Sequence, residues 1–118
     1  MDPSKLFKMP LGKVYPLWLA KVERKERTKD ELDTVIAWLT GYDVATLDAQ
    51  VNSEATLESF FANAPNLNPD RTLIKGVICG IRVEDMDPGL MQEIRYLDKI
   101  VDELAKGKVL DKILRSQV

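Results

Sequence analysis

Histidine is absent from this 118-residue chain. With it go the usual general base at neutral pH and the commonest transition-metal ligand. A single cysteine, Cys79, excludes an internal disulfide, and nothing in the cysteine usage points to an oxidising compartment. No apolar run approaches the ~18 residues that a membrane helix needs. Lys5, Lys8 and Lys13 precede the apolar VYPLWLA, which faintly resembles a secretory leader. That core is short, contains Pro16 and runs into Lys21 without a small-residue cleavage site. The expectation is a cytoplasmic protein with no membrane segment.

What is present fits an ordinary soluble domain, with 45% hydrophobic and 31% charged residues. The length suits one domain spanning 1–118. Net charge is −2, unevenly spread: residues 1–29 hold 8 basic and 3 acidic residues, and residues 30–118 hold 9 basic and 16 acidic. Such asymmetry can mark a polyanion-binding arm; the competing reading is simple neutralisation within one small fold.

Residues 1–13, with Pro3, Pro10 and Gly12, read as an extended lead-in. A first helix is expected from Pro16, carrying Trp18, Leu19 and Val22 on one side. Thr28-Lys29-Asp30-Glu31 matches a capping box. Leu32, Val35, Ile36 and Leu39 follow at helical spacing, and Gly41 stands where a left-handed terminator is wanted. Short helices follow from Val44 to Val51, with Val44 turned inward, and from Leu57 to Ala64. The last long helix is expected to start at Asp87-Pro88 and end at Gly107, with a terminal turn after it.

The stretch RTLIKGVICGIRV, residues 71–83, is the most apolar run. On a helical wheel Leu73, Ile74, Val77, Ile78 and Ile81 share a face, and Arg71, Lys75 and Arg82 fall on one narrow strip. A strand is the rival, since Ile and Val favour strands and glycines weaken helices. Strict alternation is lacking and no other segment offers a sheet partner, so the expectation is a buried central helix started by Asn68-Pro69. The fold class that follows is all-α, a single-domain orthogonal bundle of about six helices.

The combined pattern of VYPLWLAKVERK, WLTGY, LNPDRTLIKGVICGIRVED and LMQEIRYLDKIVDELAKGK resembles a family of small bacterial proteins known only as a domain of unknown function. The likeness runs from Phe7 to Arg115. It implies a cytoplasmic, all-helical domain and supplies no activity, substrate or catalytic residue.

Chemistry has few places to reside. Cys79, on the expected buried helix and without a histidine, reads as a small hydrophobe. Glu84, Asp85 and Asp87 match no calcium loop, and Gly76 and Gly80 match no phosphate loop. No catalytic residue, metal or cofactor is therefore expected. Lys21, Arg24, Lys25, Arg27 and Lys29 form a candidate phosphate-contacting patch. A DNA-reading role for the next helix is disfavoured, because Asp30, Glu31 and Asp33 on its outer side would face phosphates. Glu93 falls in an apolar sector of the last long helix and needs a partner. Arg82 or Lys75 is the expected one; the alternative makes Arg71, Lys75, Arg82 and Glu93 the lining of an anion-binding cleft. Trp38 and Tyr42, at the edge of the second helix's stripe, are core flanks or an exposed contact surface.

The reading is a non-enzymatic cytoplasmic domain that acts through protein contacts, with a homodimer or another protein as partner. One alternative is a weak nucleic-acid or polyanion binder at 21–29. The other is an enzyme or binder of a small anionic ligand at the Arg71, Lys75 and Arg82 stripe.

Overall fold

Residues 3–115 are described by a computed structural model, and they form seven α-helices with one small hairpin between the fifth and sixth. The helices are α1 (Pro3–Phe7), α2 (Leu11–Glu23), α3 (Lys29–Thr40), α4 (Val44–Val51), α5 (Leu57–Ala62), α6 (Leu90–Ala105) and α7 (Leu110–Ile113). The hairpin pairs β1 (Val77–Ile78) with β2 (Ile81–Arg82), and single 3-10 turns occupy Pro69–Leu73 and Val83–Asp85. The all-α expectation stands. Among the described residues, no helix is long and apolar enough to cross a membrane.

The cap of α3 is built as its residues require. Thr28 Oγ1 accepts the Glu31 N–H at 3.1 Å, and a Glu31 carboxylate oxygen accepts the Thr28 N–H at 3.1 Å. Leu32, Val35, Ile36 and Leu39 are all fully buried, and Gly41 ends the helix at φ +83°. Two carbonyls left over at that end are satisfied by the following loop: Asn66 N–H donates to Thr40 O and Asn68 N–H to Leu39 O.

α6 is the organising element. It packs against α1, α2, α3, α5, α7 and the hairpin, and buries Ile94, Leu97, Ile100, Val101 and Leu104. It starts at Leu90 after Gly89, two residues later than the Asp87-Pro88 start expected. Gln92, nearly buried, donates to the carbonyls of Val83 and Met86 and so ties the preceding turn to the helix.

The central helix expected over 69–83 does not form. Gly76 (φ +120°) breaks the path, and Cys79 (φ +51°) and Gly80 (φ +78°) both adopt left-handed backbone between Ile78 and Ile81. Two central residues with positive φ are what a two-residue type I′ hairpin turn needs. The missing sheet partner is supplied locally, by the other half of the same run. Only Ile74 and Val83 of the run are fully buried, while Val77 and Ile81 stand about half exposed and Cys79 is exposed rather than in the core.

Residues 3–13 also differ from the extended lead-in expected over 1–13, of which residues 1 and 2 lie outside the described residues. α1 is helical, and Pro10 bridges to Thr56, with Leu11 N–H donating to Ala55 O and Leu57 N–H to Met9 O. α2 therefore begins at Leu11 and carries Pro16 inside it. Gly12 lets this helix approach α4: a Cβ there would sit 2.7 Å from the Val51 carbonyl oxygen. Val44 is exposed, not inward, and Leu47 takes the buried position of α4.

Candidate functional site

The last turns of α2 and α6 bring opposite charges to one place. Lys21 lies in the last turn of α2, Arg24 caps that helix and Lys25 follows in the turn, spaced i, i+3, i+4, while Val22 between them is fully buried. Asp102, Ala105 and Lys106 repeat that spacing on α6. These six residues line an open cleft of about 620 Å³. Asp102 is central: Lys21 Nζ lies 3.1 Å from Oδ1 and Lys106 Nζ 3.0 Å from Oδ2. Burial alone would raise the Asp102 pKa, but hydrogen bonds from Lys106 and Lys21 and their charges outweigh it and hold the carboxyl below its ordinary value. One carboxylate thus fixes two ammonium groups, and Arg24 and Lys25 extend exposed from the same rim. Four cations against one carboxylate leave the cleft positive.

The rest of the basic run is occupied elsewhere. Arg27 donates Nη1 to the carbonyls of Leu104 (3.1 Å) and Lys108 (2.9 Å), and its Nε and Nη2 to Glu31. It is a bolt on the C-terminal end of α6, not a surface cation. Lys29 lies 2.7 Å from Asp33 and 3.4 Å from Asp48. Asp33 itself, expected on the outer side of α3, is 2% exposed and also accepts a short hydrogen bond from the Tyr15 hydroxyl.

The stripe of Arg71, Lys75 and Arg82 loses its helix and with it its common face. Glu93 does pair with a cation, but with Arg71 in place of Lys75 or Arg82: Arg71 Nε is 3.0 and 2.8 Å from the two carboxylate oxygens. Arg71 Nη1 also donates to Asn68 O, so the guanidinium ties the 66–73 turn to α6. Arg82 is 64% exposed on the hairpin with Glu84 at 3.9 Å, and Lys75 is exposed. The Glu84 carboxylate accepts the Gly76 N–H at 2.9 Å, and this hydrogen bond is the first cause of its lowered pKa. Trp38 packs half-buried on the core, and Tyr42 is 3% exposed, its hydroxyl donating to Phe60 O and its ring stacked 4.8 Å from Phe60. Tyr42 is thus a core residue, and Trp38 keeps part of its ring at the surface.

Of the six residues lining the cleft, the sequence places only Lys21, Arg24 and Lys25 together, as a basic patch; Ala105 and the charged pair Asp102 and Lys106 join them only in the fold. The i, i+4 spacing of that pair is visible, but the pairing of Asp102 with Lys21 spans 81 residues and follows only from the packing of α6 on α2. Among the described residues, no group of three or more His, Cys, Asp or Glu side chains is placed to hold a metal ion.

A family model described as "Uncharacterized protein conserved in bacteria (DUF2200)" matches residues 5–115, and the chain belongs to that family. No curated protein matches it. A solved structure, the crystal structure of the uncharacterized protein SP1917, is similar at 46% identity and a TM-score of 0.89, covering 97% of this chain and 93% of that one. Neither the family description nor that structure carries an activity.

Proposed function

We propose that this chain is a cytoplasmic binding domain whose ligand is a compact, multiply charged phosphate-bearing anion seated in the cleft between the ends of α2 and α6. The observation that carries the reading is the convergence of Lys21, Arg24, Lys25 and Lys106 on one concavity whose single carboxylate among the described residues, Asp102, is already neutralised by two of them. A volume of about 620 Å³ suits a small ligand more than a duplex backbone. Residues 30–118 carry an excess of acidic residues, which disfavours a long polyanion lying across the molecule. Arg24 supplies the planar fork that suits phosphate oxygens, and the lysines supply point charges around it. An exposed free thiol at Cys79 supports a reducing, cytoplasmic location.

Isothermal titration with tripolyphosphate at low salt is the test. Binding should weaken steeply as salt is raised, and Lys25→Glu should weaken it about tenfold, or ~1.4 kcal/mol. Both Arg24 and Lys25 are exposed, so the variants should keep the wild-type Tm. Unchanged affinity in Lys25→Glu and Arg24→Glu would remove the cleft from consideration.

A second reading, self-association, rests on Val77 and Ile81, which stand exposed on the hairpin. Molecular mass over a concentration series checks it. A dimer that dissociates on Ile81→Lys supports it, and a monomer at every concentration sinks it.

A further inference from the structure

A second cleft, of about 430 Å³, opens on another part of the molecule, where α1, the hairpin tip and α6 meet. Its lining is Lys5, Leu6, Met9, Cys79 and Arg95. Among the described residues that line it, two are apolar, one is a thiol, two are cations and none is a carboxylate. Leu6 and Met9 are partly buried against the core, which gives the cleft a fixed apolar wall.

Arg95 is the group that makes this more than a greasy hollow. Its side chain is 19% exposed and is held by Asp98, 2.8 Å from Nη1, with Cys79 Sγ 3.3 Å from the same nitrogen. Its Nε and Nη2 donate to no protein acceptor among the described residues. A positioned guanidinium at a half-buried site with donors left over is suited to a planar oxyanion. Lys5 and Arg95 against Asp98 leave this rim with a single positive charge to balance, in contrast to the strongly positive α2–α6 cleft.

We propose that this cleft binds a small amphipathic monoanion, a medium-chain carboxylate, with its apolar body on Leu6 and Met9 and its carboxylate on the free donors of Arg95, assisted by Lys5. The apolar wall contributes by removing the chain from water, and the guanidinium sets orientation. Mono- rather than polyanionic character follows from the rim charge. Preference for a chain over a bare anion follows from the apolar wall.

Cys79 reports on the site directly, because it is the sole cysteine of the chain and lines the cleft. The experiment is the alkylation rate of the intact protein by iodoacetamide, an uncharged reagent, in the presence of octanoate, 1-octanol, acetate or tripolyphosphate. Octanoate should slow alkylation saturably, by about threefold at twice its dissociation constant, where two-thirds of the sites are filled. Acetate and tripolyphosphate should not protect, octanol should protect less, and Arg95→Gln should abolish the advantage of octanoate over octanol. Equal protection by octanol and octanoate overturns the proposal, as does full octanoate protection in Arg95→Gln. Octanoate that neither slows alkylation nor shows saturation-transfer NMR signals with the protein also overturns it. A failure here leaves the phosphate cleft untouched, since its lining shares no residue with this one.

Discussion

Replacing Gly41 by alanine should cost about 3 kcal/mol or more, because two separate penalties fall on one residue. The first is conformational: φ is +83°, and a non-glycine residue in left-handed backbone loses roughly 1–2 kcal/mol. The second is steric. A Cβ at position 41 would lie 2.8 Å from the Asn66 nitrogen and 2.9 Å from its carbonyl oxygen, and both are backbone atoms that cannot swing aside. The loop would have to retreat, stretching the bonds from Asn66 to Thr40 O and from Asn68 to Leu39 O, each worth about 1 kcal/mol. Urea denaturation of Gly41→Ala beside Gly107→Ala separates the terms. Gly107 also has positive φ (+92°) but nothing within 4 Å of its added Cβ, so its cost should stay near the conformational value alone. Equal losses in the two variants would mean that the contact with Asn66 carries no energy.

The second large effect is at Asp33. Its carboxylate, 2% exposed, accepts from the Tyr15 hydroxyl and from Lys29 Nζ. Asp33→Ala leaves a buried phenol without its acceptor and removes a charged hydrogen bond. Breaking a fully buried ion pair costs about 3–5 kcal/mol. Lys29 is 46% exposed and keeps Asp48, so the expected loss is smaller, about 2–3 kcal/mol.

The same network predicts an alkaline weakness. Burial, then the hydrogen bond and charge of Asp33, push the Tyr15 hydroxyl above its ordinary pKa; the Asp33 hydrogen bond chiefly raises that of Lys29. Groups with raised folded-state values add stability below their unfolded values, near pH ~10 for tyrosine and ~10.4 for lysine. That stability is lost as pH rises through the folded values. Wild-type protein should therefore weaken from about pH 10 upward, and Asp33→Asn should begin less stable and fall less. Parallel stability curves for the two proteins between neutral pH and pH ~11 would rule this coupling out.

How much of this could be read in advance depended on whether the decisive contacts were local. The α3 cap, its apolar stripe and the Gly41 stop all lie within fourteen residues, and each forms as read. The hairpin is local too, yet it was hidden, because its turn is Cys79-Gly80 and lacks the asparagine or aspartate that usually precedes the glycine of a type I′ turn. Without that signal the Ile and Val spacing of 71–83 reads equally well as a helix face. Glu93 was legible as a carboxylate in need of a cation, but the choice of Arg71 depended on the 3-10 turn at Pro69–Leu73, which a helical reading erased. In the basic run, composition could not separate Arg27, which is folded onto the carbonyls of α6, from Arg24 and Lys25, which are exposed. That sorting follows from which face of the α2 terminus α6 covers.

The decisive comparison sets two charge-reversed proteins side by side in tripolyphosphate titrations at low salt: Lys25→Glu with Lys106→Glu at the α2–α6 cleft, and Lys75→Glu with Arg82→Glu on the hairpin arm. Both remove the same number of cations from exposed positions, so long-range charge changes equally. The cleft pair should lose binding beyond detection while the hairpin pair stays within about twofold of wild type, less than ~0.5 kcal/mol. Equal losses in the two proteins, or binding retained in the cleft pair, would contradict the assignment of the anion site to the ends of α2 and α6.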